Sequence, residues 1–266
     1  LGCFAITEPG AGSDAASIRT TAVRDGDDYV LNGQKCWITN GGIADIYLIS
    51  AKTDPDAGAH GISTFLVEAD REGLSHGRHE DKMGLRTSNT CDLTLNDVRV
   101  PANHLVGEEG NGFRIAMSGL DISRPFMATI AVGMMQRALD EAALYALQRE
   151  QFGRPIFEFQ MVQDMLARMS AKVVACRCLV QHTMKLVDEE QDVQKDGAIT
   201  KQFVTDMLQD VVSDAVQVMG GNGYTKEYPV EKIMRDAKVF QIMEGTNQIQ
   251  SIVIARRLKK EYSARL

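Results

Sequence analysis

The sequence predicts an α+β protein: a small antiparallel β-barrel or sandwich over residues 1–105, then an all-α, up-down helical bundle over residues 106–266. Three observations predict it. Short β-rich runs alternate with turn residues up to about residue 105. Beyond residue 110 the apolar period becomes that of a helix and stays so. The 266 residues are 44% hydrophobic, enough for a sizeable core in one large domain or two smaller ones.

The chain opens Leu1-Gly2-Cys3-Phe4, with neither Met nor a signal-peptide pattern, and enters directly what reads as a strand. We therefore expect further sequence upstream of Leu1. Tyr29-Val30-Leu31 leads into Asn32-Gly33, which reads as a turn, and then into Cys36-Trp37-Ile38-Thr39. Residues 46–51 and 64–69 read as further strands. Leu93, Leu95, Val98 and Val100 suggest another, with Asp92 and Thr94 on its opposite face. In the helical half, Ile130, Met134, Ala138, Ala142 and Tyr145 form one stripe. Leu166, Met169, Val173, Cys176, Val180, Met184 and Val187 form a longer one. Val204, Leu208, Val211, Ala215 and Val218 form a third, separated from the second by a polar stretch, 188–197, that reads as a loop. Pro229 suits the first turn of a short helix, and a last helix runs from about Asn247 toward Tyr262. Long antiparallel helices with such stripes imply a bundle.

Composition excludes several function classes. The net charge is −7 and the basic residues are dispersed, so no nucleic-acid surface is expected. An anionic ligand needs a local site, because the global field does not attract it. The five cysteines show no disulfide framework, and neither Cys176-x-Cys178 nor the scattered histidines form a metal site. No apolar run is long enough for a membrane span.

Two segments are chemically unusual. Thr7-Glu8-Pro9-Gly10-Ala11-Gly12-Ser13-Asp14 makes a tight loop with exposed amides. Such a loop can cradle a phosphate or a polar ring edge, or be an ordinary turn. Trp37-Ile38-Thr39-Asn40-Gly41-Gly42 puts a Trp on a strand that ends in Gly-Gly; it could admit a flat ring or simply fill a core. In this order, and followed by a helical bundle, the two resemble the acyl-CoA dehydrogenase family. The resemblance covers essentially the whole chain. It continues through Lys82-Met83-Gly84-Leu85-Arg86-Thr87-Ser88, Asp121-Ile122-Ser123-Arg124 and Arg149-Glu150-Gln151-Phe152-Gly153. It ends with Gln217-Val218-Met219-Gly220-Gly221-Asn222-Gly223 and Met243-Glu244-Gly245-Thr246-Asn247-Gln248. The family's N-terminal helical domain is absent from the chain, in keeping with the start at Leu1.

The resemblance implies FAD as cofactor and an acyl-CoA thioester as substrate. It implies that Phe4, Ala5, Ile6, Thr7, Gly12 and Ser13 line the flavin, Ser13 lying near the CoA-bearing substrate. Trp37, Ile38 and Thr39 would stand beside the ring, Thr39 close to its N5 edge. Arg149, Phe152 and Gln160, with Gln217, Val218, Met219, Gly220 and Gly221, would reach an FAD bound mainly to a neighbouring subunit of a homotetramer, a dimer of dimers. Thr246, Asn247 and Gln248 would close the phosphate side at a helix N-terminus. Asp121, Ile122, Ser123, Arg124 and Gly245 would border the substrate. Each has a plainer alternative: Arg149 as a helix-end cation, Gly220-Gly221 as a C-cap, Asp121 and Arg124 as an exposed i,i+3 pair.

Desaturating a thioester removes an α-proton and a β-hydride, so a positioned base and a stabilised carbonyl oxygen are needed. Glu244, preceded by Val239, Phe240, Ile242 and Met243, could be that base or only a capping acid before a helix. By resemblance it takes the α-proton while FAD N5 takes the hydride, giving the trans-2-enoyl-CoA. Its backbone amide and a flavin hydroxyl hold the thioester oxygen, and electrons pass to an electron-transfer flavoprotein, as in β-oxidation of fatty acids. Some branches place the base just before the Arg of Asp-x-x-Arg; here Ser123 stands there and cannot serve. Met243 replaces a common aromatic residue and alters the pocket wall. The alternatives are an oxidase of the same superfamily and a non-catalytic assembly subunit. The compartment implied is the cytoplasm in a bacterium or the mitochondrial matrix in a eukaryote.

Overall fold

The computed structural model describes all 266 residues, which divide into two compact units, Leu1–Gly119 and Leu120–Leu266. The first holds one curled sheet built from β1 (Gly2–Ala5), β2 (Thr21–Asp25), β3 (Asp28–Thr39), β4 (Ile46–Lys52), β5 (Ile62–Glu68), β6 (Leu74–His76) and β7 (Thr90–Pro101). Pairing is antiparallel except at β4, where β1 and the first residue of β2 run parallel to one edge. Alternation explains the strands. Tyr47, Ile49 and Ala51 of β4 share one buried cluster with Phe65 and Val67 of β5, Leu31 of β3, and Leu93, Leu95, Val98 and Val100 of β7. Each large apolar side chain removed from water there contributes about 1.5–3 kcal/mol.

The expected turn at Asn32-Gly33 is not there. β3 runs straight through it, with a register shift against β7 between Leu31 and Gly33. The Asn32 amide bonds Asp97 instead: Nδ2 donates to Oδ1 at 2.9 Å and the Asp97 N–H donates to Oδ1 of Asn32 at 2.8 Å. Turn and bulge draw on the same residue types, and here the bulge wins. The hairpin closes at Gly26-Asp27, where Asp25 pairs Asp28 and Gly26 has φ 64°.

The second unit is helical. Its elements are most of α1 (Gly112–Gln148), then α2 (Gln160–Asp188), α3 (Gln194–Met219), α4 (Val230–Ala237) and α5 (Asn247–Ser263). A two-residue ribbon, β8 (Glu150–Gln151) with β9 (Arg154–Pro155), links α1 to α2. α3 carries a long buried face, and α1, α2 and α5 each bond to it: Gln194 to Asp121, Thr183 to Thr200, and Lys195 to Glu261. Two expectations change. Beyond Pro125, the buried residues of α1 are Ala128, Ala131, Val132, Met135, Ala138, Ala142 and Ala146, whereas Ile130 is 53% exposed. Ala138 and Ala142 of the expected stripe are buried, Met134 and Tyr145 are half-buried, and only Ile130 faces out, because small side chains line the packed face. The loop read at 188–197 shrinks to 189–193, where the Asp192 carboxylate accepts from the Gln194 N–H (3.2 Å) just ahead of α3. No helix is long and apolar enough to cross a membrane.

Candidate active site

After α4 the chain makes a short 3-10 turn, Lys238–Gln241, and then reverses at Glu244 and Gly245. Both are left-handed, with φ 57° and 84°. A non-glycine residue there carries about 1–3 kcal/mol of strain unless its surroundings hold it. They do. The Glu244 carbonyl accepts from Arg124 Nε (3.3 Å) and Gln250 Nε2 (3.2 Å). The Gly245 carbonyl accepts from Gln250 Nε2 (2.8 Å) and Lys201 Nζ (2.9 Å). The half-buried Glu244 carboxylate accepts from Ser123 Oγ at 2.6 Å. Thr246 then caps α5, its Oγ accepting from the Ile249 N–H.

Asp121 and Arg124 are not an exposed pair. Arg124 is 4% exposed and donates to Asp121 Oδ1 at 2.6 Å, while Gln194 Nε2 donates to Asp121 Oδ2. Burial lowers the Arg124 pKa from its usual value, against the opposing pull of Asp121 and Glu244. Burial also lowers Lys201, with the neighbouring Arg124 charge, to about 8. Pro125 lies inside α1 and cannot donate to the Asp121 carbonyl, which is left facing Gly197 of α3. Ile122 is exposed. The structure thus brings Asp121, Ser123, Arg124, Glu244 and Gly245 together.

Thr246, Asn247 and Gln248 border a cavity of about 370 Å³ with Gln202, Asp206, Gln241 and Ile242. Asn247 is 5% exposed, and its side chain is engaged by Lys201, Thr205 and Asp206. At the other end of α1, Arg149, Phe152 and Gln160 are exposed, Phe152 to 94% with its ring against Phe159. Gln217, Gly220 and Gly221 are exposed, while Val218 and Met219 turn their side chains inward. Tyr145 joins these two regions, its hydroxyl accepting from Asn222 Nδ2 at 2.8 Å.

In the β unit, the loop after β1 is pinned by a buried pair. Glu8 accepts from Lys35 Nζ (2.8 Å), from the Thr20 hydroxyl and N–H, and from the Arg19 N–H. Burial works to raise the Glu8 pKa, but the Lys35 and Thr20 bonds with the Lys35 charge outweigh it and hold it low. Truncating Lys35 would strand the carboxylate, at about 3–5 kcal/mol. The Cys36 N–H donates to the Thr7 carbonyl and Lys35 Nζ to that of Ile6, so residues 6–7 lie against β3. A second register shift, between Lys35 and Ile38, puts Trp37 at φ 60°. Cys36 and Ile38 are buried and Trp37 is 63% exposed. Ala5 is likewise buried, while Phe4, Gly12, Ser13 and Thr39 are exposed. An outward-facing Trp beside a hydroxyl and a loop of free-edged backbone suits a planar ring with polar edges. The cavity at the head of α5 suits an anionic tail. Each unit, taken by itself, thus holds residues that fit one part of a flavin nucleotide, the ring in the first and the anionic tail in the second.

Sequence reasoning missed Lys201 and Gln250. The α3 stripe held the signal for the first: one step back from Val204 and Leu208, the buried face is occupied by a lysine.

Residues 3–98 match the family model "Acyl-CoA dehydrogenase, middle domain", and residues 110–259 match "Acyl-CoA dehydrogenase, C-terminal domain". The chain belongs to the acyl-CoA dehydrogenase family. An acyl-CoA dehydrogenase of Bacillus subtilis (strain 168) is 48% identical over 258 residues, 97% of this chain and 68% of that protein. The structure of butyryl-CoA dehydrogenase from Megasphaera elsdenii superposes with TM-score 0.96 at 46% identity, over 97% of this chain and 68% of that one. A chain in a structure of the electron transferring flavoprotein of Acidaminococcus fermentans gives TM-score 0.96 at 48% identity, with the same coverage. The family consists of flavoprotein oxidoreductases, and the helical bundle after the curled sheet is its fold.

Proposed function

We propose that this acyl-CoA dehydrogenase binds FAD and converts an acyl-CoA to the trans-2-enoyl-CoA, with Glu244 as the base. The observation that carries the reading is the Glu244 carboxylate itself. It sits on a strained turn whose carbonyls three side chains hold, and one hydroxyl orients it. Ser123 can orient a carboxylate but cannot replace it as base. Glu244 accepts the α-proton at a carboxylate oxygen, and the Ser123 hydroxyl steadies the other oxygen. The Glu244 N–H makes no hydrogen bond within the chain, so it is free to donate to the thioester oxygen as charge develops there. Trp37 and Thr39 would hold the ring, and Thr246 with Gln248 the phosphates. Bound FAD supplies the acceptor for the β-hydride. An electron-transfer flavoprotein would take the electrons onward.

Replacing Glu244 by Gln should leave FAD and acyl-CoA binding intact and slow anaerobic flavin reduction by at least about a hundredfold. Near wild-type reduction by this variant would sink the assignment. A panel of acyl-CoAs in the same assay identifies the acyl group, whose pocket wall includes Met243.

A further inference from the structure

Lys201 is fully buried on α3 and has no ion-pair partner within 4 Å. Its ammonium donates to the Gly245 carbonyl at 2.9 Å and to Asn247 Oδ1 at 2.8 Å. An apolar residue at 201 would simply extend the stripe of Val204, Leu208 and Val211, whereas a buried unpaired cation is costly. Stability therefore does not account for a lysine here, and its bonds point to another role. They join α3 to both sides of the reversal, at Gly245 and at the first residue of α5. On the opposite side α1 holds the same reversal through Ser123 and Arg124. With Gln250 these groups fix two successive left-handed residues, and the direction of the Glu244 side chain follows from that backbone.

We propose that Lys201 is a positioning residue for the Glu244 carboxylate, its buried ammonium holding the Glu244–Gly245 turn in the conformation from which Glu244 meets substrate. The inference rests on the reading of Glu244 as base. The charged groups around Lys201 are Arg124 from α1, itself paired with Asp121, Glu244 from the turn, and Asp206 from its own helix. α5 presents the neutral Asn247 and Gln250, and α2 presents Thr183 through Thr200. Burial among them brings the lysine to about 8, so the clamp loses its charge in mildly alkaline solution.

The test uses the FAD-loaded protein and three variants: Lys201→Met, Lys201→Gln and Glu244→Gln. Three quantities are read: the rate of anaerobic flavin reduction across pH, acyl-CoA affinity, and backbone hydrogen exchange over residues 244–250. Lys201→Met should keep FAD and acyl-CoA affinity, exchange faster over 244–250, and reduce its flavin on the order of tenfold to a hundredfold more slowly. The alkaline inflection near 8 should vanish with the lysine. Lys201→Gln, which keeps a donor without the charge, should recover part of the rate without restoring the inflection. If Lys201→Met fails to fold, the Gln variant decides by the same three readings. Wild-type rate, pH profile and exchange in a folded Lys201 variant, alongside an inactive Glu244→Gln, would overturn the positioning role and leave the base assignment standing. A Glu244→Gln variant that still reduces its flavin would overturn both.

Discussion

Gly245 shows how little freedom the candidate base has. At φ 84°, a Cβ would meet Gln250 Nε2 at 2.8 Å, the same nitrogen that holds both carbonyls of the reversal. Gly245→Ala should therefore cost about 1–3 kcal/mol of stability, read from denaturant melts, and should slow flavin reduction as well. Lys201 adds a pH signature. Its pKa falls from 10.5 to about 8 on folding, so between those values the unfolded chain holds a proton the folded chain has released. Stability from this group then rises with pH through that window, because unfolding must take the proton up. Below the window the buried charge is a standing cost. Lys201→Met should accordingly melt above the wild type at neutral pH, and the gap should narrow as the pH approaches 10.5. A gap independent of pH in thermal melts would show that the lysine does not titrate there.

The contact between α1 and α3 belongs to the scale of elements. Pro125 leaves the Asp121 carbonyl without its helical donor, and Gly197 lets α3 approach to where a Cβ would be 3.0 Å from that oxygen. The oxygen is backbone, on the turn of α1 whose Ser123 and Arg124 hold Glu244, so it cannot yield without moving them. Gly197→Ala should thus forgo the roughly 1 kcal/mol that alanine gains over glycine in a helix, and should lower stability instead. Gly133→Ala, with nothing within 4 Å, should realise that gain. Calorimetry on the two variants compares the signs. The same elements show what was legible in sequence. β4, β5 and β7 were readable because their inward residues alternate toward one core. The segment Met243 to Gln248 was flagged by a local motif and the start of α5 was placed near Asn247, whereas the left-handed reversal at Glu244 was not read. The bulge at Asn32-Gly33 was not readable, since only its pairing with Asp97, 65 residues away, distinguishes it from a turn. The packed face of α1 was read correctly only at Ala138 and Ala142, because the alanines that line the rest of it carry little apolar signal. Gln250 and Lys201 were missed because a long polar side chain on a helix ordinarily seeks water, and their acceptors are backbone carbonyls that exist only once the turn has formed.

For the molecule as a whole, the spacing along α1 bears on how the cofactor is held. Ser123 touches Glu244, and Arg149 follows it by 26 residues at the far end of the helix. At 1.5 Å per residue that is on the order of 35–40 Å, more than one flavin nucleotide spans. We propose that Arg149, Gln160 and Gln217 serve a second FAD, that of a neighbouring subunit, with the exposed Phe152 and Tyr224 beside them as apolar surface it would cover. Arg149→Ala should leave the apo chain as stable as before, since the exposed residue is tied in only through its backbone, its N–H donating to the Tyr145 carbonyl. The holo-oligomer should lose stability, because a ligand held at a hundred times its Kd adds about 2.7 kcal/mol that weaker binding forfeits. Flavin absorbance after gel filtration, and melts with and without added FAD, measure both effects. Wild-type retention of FAD by the variant, or equally tight binding by a monomer, would show that each chain holds its flavin alone.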